Sequence, residues 1–200
     1  MADPTAMSDR PRPTAPGRSG VGGVLARRWP TLLAVAVVAP TLGPSTPEEL
    51  RGLASAMLLL PLWYVVIAAV GRRSWTWGVL VGSIVLYMGL RFADRVEPAL
   101  VLLAVGLAAV AWGAIRGRFG QPSFLLQAAG LVAWAALALA ALILAPDAAR
   151  YVVAAGWFAH GLWDLAHHRA DAGVTRSAAE WCGVVDVLVA AELVILPLVL

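Results

Sequence analysis

The sequence predicts an all-α integral membrane protein, a helical bundle of seven transmembrane helices with its N-terminus in the cytoplasm. Of the 200 residues, 60% are hydrophobic and only 14% are charged, and the mean hydropathy is +0.80. Soluble domains contain roughly 25% charged residues, so a water-soluble fold has too little polar surface for this chain. The apolar residues also come in separate segments, most of them near the length of about 20 residues that crosses a bilayer as a helix.

The chain divides into two regions. Residues 1–23 are rich in Pro, Gly, Ser and Arg and lack apolar periodicity. Such a segment cannot bury enough apolar surface to offset the entropy lost on ordering, which predicts a disordered cytoplasmic tail. Residues 24–200 are predicted to form the transmembrane helical domain, with no length left for a second, soluble domain.

Short polar, Pro-containing or Gly-containing connections separate the apolar segments. The predicted spans are residues 29–42, 53–70, 75–90, 98–115, 123–145, 151–166 and 178–200. The first is short and contains Pro30 and Pro40, so an interfacial or re-entrant segment is the alternative, which leaves six spans.

The Arg distribution predicts the topology. All 15 basic residues are Arg. With seven spans and a cytoplasmic N-terminus, eleven of them lie on the cytoplasmic side and four on the outer side, as the positive-inside rule expects. Omitting the first span would invert every later connection relative to the tail. The net charge of +3 therefore reflects topology, and the predicted partner is the lipid bilayer of the cell membrane, with no nucleic acid.

Small residues recur every four positions on the third predicted span, at Ser74, Gly78 and Gly82. Such a stripe lets a second helix approach closely. It favours either packing within the bundle or a homo-oligomer.

The candidate functional residues lie in the last two spans. All three histidines fall within nine residues, in the stretch HGLWDLAHHR that begins at His160. On a helix, His160, Asp164, His167 and His168 lie within about 100° of one another and share one face. In the next span Cys182 and Asp186 are four residues apart, so their side chains are also neighbours on one face.

The two sets of side chains are predicted to meet inside the bilayer. The two spans are antiparallel neighbours, and His160 and Asp186 each lie about 12 Å from the cytoplasmic ends of their helices. Asp164 and Cys182 lie at about half that depth. An ionisable group in a membrane costs about 2.5–3.5 kcal/mol and usually faces the bundle interior with a partner. A cluster of His160, Asp164, Cys182 and Asp186 follows.

The donor types in this cluster suggest a metal centre. His160 and Asp164 present nitrogen and oxygen to one point, and Asp186, His167 or Cys182 can supply a third ligand of a zinc-type site with an open water position. Such a site activates water for hydrolysis, with the remaining carboxylate, Asp164 or Asp186, as general base. The substrate would be a lipid or lipid-linked molecule that enters sideways from the membrane.

Two other functions fit the same residues. Buried His/Asp pairs are also common interhelical contacts in non-enzymatic membrane proteins, and acidic residues in spans occur in small proton-coupled transporters. Glu192 does not share a face with Asp186, which weighs against a continuous acidic track. His168, next to Arg169, suits a helix C-terminus without any ligand role.

The stretch HGLWDLAHHR followed by WC-x3-D, from Trp181 to Asp186, resembles small multi-pass bacterial membrane proteins, a resemblance that implies a membrane fold and no particular activity. The chain is more loosely similar to the seven-span hydrolases of the ceramidase and adiponectin-receptor type, which implies a His/Asp zinc site near the cytoplasmic face. Those hydrolases also use a histidine early in the chain, whereas the first histidine here is His160.

Overall fold

Every regular element in the described part of the chain is a helix, which confirms the all-α class. The computed structural model describes residues 21–43, 45–93 and 95–199. The α-helices within these ranges are α1 (Val21–Arg27), α2 (Trp29–Val38), α3 (Pro47–Ala56), α4 (Leu59–Val70), α5 (Thr76–Ala93), α6 (Pro98–Ile115), α7 (Pro122–Ile143), α8 (Pro146–Ala170) and α9 (Arg176–Val199). Residues 1–20 of the predicted tail lie outside the described residues, and α1 begins at Val21.

Four helical stretches are long and apolar enough to cross a membrane. They are Pro47–Val70, Arg73–Ala93, Pro98–Ile115 and Pro122–Ile143. The first of them joins α3 and α4 through a turn at Met57 and Leu58. A shorter apolar helix covers Trp29–Thr41, because a 3₁₀ turn extends α2. Helices α8 and α9 are 25 and 24 residues long and carry the ionisable residues of the candidate site.

Local sequence signals mark the helix boundaries. Proline opens α3, α6, α7 and α8, where its missing N–H has no helical partner to lose. At the start of α3, Thr46 and Glu49 exchange hydrogen bonds with each other's backbone N–H in a capping box, which satisfies two otherwise free donors. Gly71 ends α4 with φ 74°, a left-handed conformation that favours glycine.

One end of the bundle brings together the connections that precede α5 and α9. Arg73 Nη2 donates to Asp171 Oδ1 and to Val174 O, both at 2.6 Å. Trp77 Nε1 donates to Ser177 Oγ at 3.1 Å. The hydrogen bond from Arg73 lowers the pKa of Asp171 below its ordinary value. This end therefore contains both the connection between α4 and α5 and the turn between α8 and α9.

Contacts at the opposite end tie α3 to the helices that follow it. Ser55 Oγ donates to Glu97 Oε1 at 2.9 Å, and Tyr87 Oη donates to Gly52 O at 2.7 Å. Arg51 reaches the carbonyl of Leu142, at the end of α7. The connections between α5 and α6 and between α7 and α8 thus lie at this end, opposite the connections that precede α5 and α9.

Helix α2 runs parallel to α9. Two carboxylates of α9 show this direction, because they accept hydrogen bonds from residues near the start of α2 and just beyond its end. Near its start, Thr31 Oγ1 donates to Glu180 Oε1 at 2.6 Å. Just beyond its end, the backbone N–H of Gly43 donates to Glu192 Oε1 at 3.0 Å. Glu192 therefore faces α2 and not the cluster around Asp186, in agreement with the helical spacing.

The small-residue stripe lies on the outward face of α5. A Cβ atom added at Gly78 or Gly82 would meet no atom within 4 Å. The two glycines of the stripe therefore pack against none of the described residues, and the use of the stripe by a second copy stays a prediction.

Candidate metal centre

Helices α8 and α9 bring four of the predicted side chains together in the interior. His160, Asp164 and Asp186 are 0% exposed, and Cys182 is 4% exposed. One ligand atom from each of the four lies within 4.8 Å of the others. The four-residue spacings on the two helices place each pair on one face, and the antiparallel packing of α8 on α9 makes the faces meet. These residues are close enough together to bind one metal ion.

The closest approach in this cluster is between one imidazole nitrogen and two carboxylate oxygens. His160 Nδ1 lies 2.8 Å from Asp186 Oδ2 and 3.4 Å from Asp164 Oδ2. Ligand atoms of a tetrahedral zinc with Zn–N and Zn–O bonds of about 2.0–2.1 Å are about 3.3 Å apart. The distance from His160 Nδ1 to Asp164 Oδ2 has this spacing, the distance to Asp186 Oδ2 is the shorter one of a hydrogen bond, and all the ligand atoms lie within 4.8 Å of one another.

The other oxygen of each carboxylate has a different neighbour. Tyr64 Oη, on α4, donates to Asp164 Oδ1 at 2.5 Å, and Cys182 Sγ donates to Asp186 Oδ1 at 3.8 Å. Asp164 Oδ2, in contrast, is buried without a hydrogen-bond partner among the described residues. Buried acceptors normally have a donor, so this oxygen, 3.4 Å from His160 Nδ1, is free to bind a further group. The residues present therefore fit a metal ion.

Two glycines permit the close contact between α8 and α9. A Cβ atom on Gly161 would lie 3.2 Å from Val187 Cγ2 and 3.4 Å from Asp186 Cβ. A Cβ atom on Gly183 would lie 3.3 Å from Asp164 Cβ. The absence of side chains at these two positions lets the carboxylates of both helices reach one point.

We expect Gly161→Leu to separate α8 from α9 and to weaken the cluster. Overpacking an interior typically costs about 1–3 kcal/mol, so the variant should unfold at lower temperature in detergent than the wild type. Gly82→Leu is the matched control, because open space surrounds that position. Circular dichroism melts of both variants test this, and equal melting temperatures would contradict the packing role of Gly161.

His167 was also predicted as a metal ligand, and the structure places it outside the four-residue group. Its Nδ1 lies 2.9 Å from the carbonyl of Trp163, and Gln127 Nε2 lies 3.0 Å from its Nε2. The Gln127 amide donates to Nε2, so the ring proton is on Nδ1 and is donated to the Trp163 carbonyl. Both nitrogens of His167 thus have protein partners. His168 is near the surface, 3.9 Å from Glu180.

Sequence reasoning missed the contribution of α4 and α7. Tyr64 is the direct partner of Asp164, and its ring lies 4.8 Å from that of His167. The ring of Trp134, on α7, packs edge-on against His160 at 5.2 Å. The phenol of Tyr64, in the middle of the mostly apolar 53–70 segment, was the available signal, because a buried hydroxyl needs a partner.

An apolar chamber adjoins the cluster on one side. It has a volume of about 130 Å³ and lies between α4, α5, α8 and α9. Its walls include Leu60, Trp63, Leu80, Ile84, Trp157 and Cys182. Cys182 belongs both to the chamber wall and to the four-residue cluster, so it lies between the chamber and Asp186.

Comparison with protein-family models, with curated proteins and with solved structures finds no significant match. The class of protein is therefore defined by the fold and the site alone: an all-helical chain with several helices able to cross a membrane and a buried His/Asp/Cys cluster.

Proposed function

We propose that this chain is a multi-pass membrane protein that binds one zinc ion and hydrolyses a membrane-embedded substrate. The observation that carries the proposal is the convergence of His160 Nδ1, Asp164 Oδ2 and Asp186 Oδ2 on one buried point. The free lone pair of Asp164 Oδ2 supports it further. These three residues are the proposed ligands, and Cys182 occupies the side that faces the chamber.

Charge favours three ligands over four. Zinc with two aspartates and a neutral imidazole has no net charge, whereas a Cys182 thiolate as fourth ligand would make the buried centre negative. Burying an unpaired charge costs several kcal/mol, so we infer that Cys182 remains a thiol and donates to Asp186 Oδ1. Three residues would then hold the ion and leave room for water or a substrate, as in catalytic zinc sites.

The open position would bind water or the oxygen of a substrate. Zinc lowers the pKa of a bound water to about 7 and polarises a carbonyl or phosphoryl oxygen. Asp186 Oδ1 points away from His160 and towards Cys182 at the chamber wall. It is therefore placed to accept a proton from water as the general base. Asp164 Oδ1 is held by Tyr64, so we assign Asp164 to ligation and orientation.

We further propose that the chain spans the membrane seven times with its N-terminus in the cytoplasm. The parallel arrangement of α2 and α9 supports this topology, because the first and seventh spans of an alternating chain run in the same direction. The Arg distribution supports the orientation. Residue-specific labelling of single cysteines in a Cys182→Ala background, at Arg72 and at Arg95, tests it: the first should be accessible only from the cytoplasm.

Metal content tests the central proposal. We expect elemental mass spectrometry of protein purified without chelator to find about one zinc per chain, and to find little in a His160→Ala, Asp164→Ala double variant. His168→Ala is the matched control, because it removes a histidine of the same helix outside the cluster and should keep its metal. Wild-type protein without stoichiometric metal would contradict the proposal.

Hydrolysis is tested separately, in vesicles made from the lipid extract of the expression host. Mass spectrometry should detect products that accumulate with the metal-loaded wild type and not with Asp186→Asn. No difference between the two proteins would contradict a hydrolase that acts on these lipids.

One observation favours a second candidate, a structural role for the cluster. Tyr64, Cys182 and His160 already supply donors to three of the four carboxylate oxygens, so the network can hold α4, α8 and α9 together without metal. The two candidates make different predictions for Asp186→Asn, as the Discussion describes.

A further inference from the structure

The chamber beside Cys182 is lined mainly by apolar side chains, which suits a hydrocarbon. Ser83, the one hydroxyl in its wall, donates to the carbonyl of Leu80, and Trp157 Nε1 donates to Leu53 O. These polar groups are therefore already satisfied within the protein. An apolar cavity of about 150 Å³ binds benzene, so a chamber of about 130 Å³ holds on the order of six carbons.

The surroundings of the chamber indicate where such a chain comes from. One wall is α5, and only 11% of the apolar window of Arg73–Ala93 is buried inside the protein. In a membrane, that helix faces lipid on its outer side. A hydrocarbon chain can thus reach Leu80 and Ile84 from the bilayer without crossing water.

A buried hydrogen-bond donor of the chamber wall lacks an acceptor among the described residues. Trp181 lines the chamber, and its Nε1 is buried without an acceptor in the part of the chain that the structure describes. An unpaired buried donor costs about 1–3 kcal/mol. A ligand with an acceptor oxygen removes this cost, so its binding free energy becomes more favourable. Trp181 is also the neighbour of Cys182, and hence of the proposed zinc site.

Trp181 belongs to a group of three neighbouring tryptophans. Its ring lies 6.0 Å from that of Trp77, which lies 5.3 Å from that of Trp29. Tryptophans of this kind concentrate at the boundary between headgroups and hydrocarbon. The carbonyl of an acyl chain lies at the same boundary, where its polar and apolar parts join.

We propose that the chamber binds the carbonyl-proximal carbons of an acyl lipid, with its carbonyl oxygen accepting a hydrogen bond from Trp181. This inference rests on the proposed function and gives it a substrate class, the acyl esters and acyl amides of membrane lipids. In the reaction, water supplies the hydroxyl to the acyl carbon and the proton to the departing oxygen or nitrogen. The acyl–heteroatom bond breaks, and a free fatty acid remains in the chamber.

The test uses vesicles of phosphatidylethanolamine and phosphatidylglycerol doped with a phospholipid that carries a diazirine within about six carbons of the ester carbonyl, the length that the chamber holds. After illumination, peptide mass spectrometry locates the cross-links. We expect them on chamber residues such as Leu60 and Trp157. Ile84→Trp, which fills the chamber, should reduce them at least tenfold. Val85→Trp is the matched control, because Val85 is 65% exposed.

The carbonyl contact has its own readout. The wild type should cross-link the ester probe roughly fivefold better than an ether analogue, a ratio that corresponds to one neutral hydrogen bond. Trp181→Phe, which keeps a ring and removes the donor, should abolish this preference. Melting temperatures of Ile84→Trp and Trp181→Phe, compared with that of the wild type, confirm that both variants fold.

The outcomes separate the chamber from the metal centre. Cross-links in the chamber of both wild type and Asp186→Asn support lipid binding, even where metal content or hydrolysis fails and the proposed function falls. Cross-links that persist in folded Ile84→Trp, or that lie only on the outward face of α5, overturn the inference. An equal response to ester and ether probes overturns the role of Trp181.

Discussion

Asp186→Asn is expected to lose the metal while keeping the fold. The Asn amide oxygen can still accept the proton of His160 Nδ1, now 2.8 Å from Asp186 Oδ2, so the interhelical hydrogen bond survives. A neutral amide, however, does not replace an anionic ligand. Loss of a group that only supports a ligand costs about 10–100-fold in metal affinity. We therefore expect loss of the ligand itself to exceed about 100-fold, or about 2.7 kcal/mol.

This variant distinguishes a metal centre from a structural network. If the cluster binds zinc, the wild type melts at higher temperature than Asp186→Asn when zinc is present, and the two melt together in excess chelator. If the cluster is only structural, chelator leaves the melting temperature of each protein unchanged. Thermal melts in detergent with and without chelator make the comparison, and melting temperatures that never differ would contradict the metal proposal.

Asp186→Ala provides the reference for complete loss of the contact. It leaves His160 without its closest carboxylate, and removing one partner of a buried pair costs about 3–5 kcal/mol. We expect its melting temperature to fall below that of Asp186→Asn, whether or not metal is present. Similar melts for the Ala and Asn variants would show that the hydrogen bond between α8 and α9 contributes little.

The sequence was sufficient to predict which residues of α8 and α9 meet. The reason is geometric. A short turn between two antiparallel helices fixes which residues of one helix lie at the same depth as which residues of the other. The four-residue spacings then place the side chains of each pair on one face. His160, Asp164, Cys182 and Asp186 meet as this reasoning predicts. The position of a helix could also be predicted, since α6 matches its predicted span of residues 98–115.

The sequence was not sufficient to predict contacts between distant helices. His167 shares the helical face of His160, but Gln127 on α7 binds it, and nothing in local spacing indicates where α7 packs. The hydrogen bond of Tyr64 to Asp164 crosses 100 residues of sequence for the same reason. Glu192 was assigned to another face correctly, while its acceptor role for Gly43 depends on the packing of α2.

Removal of the metal is expected to destabilise the wild type strongly. A ligand at a thousandfold excess over its dissociation constant stabilises the folded state by about 4 kcal/mol. For a chain of this length, that corresponds to a fall in melting temperature on the order of 10 °C in excess chelator. Asp186→Asn should show almost no fall, because it has no metal to lose, and a similar fall in both proteins would point to an unspecific effect of the chelator.

Restoring single metals then tests the identity of the ion. The proposed donors are one imidazole nitrogen and two carboxylate oxygens, and an imidazole favours zinc and its transition-metal neighbours over magnesium. Magnesium also requires nearly octahedral oxygen coordination and gives up its water reluctantly, which a buried site with three protein ligands does not suit. We therefore expect zinc and cobalt to restore the melting temperature of the chelated wild type and magnesium to leave it unchanged. Equal recovery with magnesium would contradict the assignment of His160 as a ligand, because the two carboxylates alone would then account for binding.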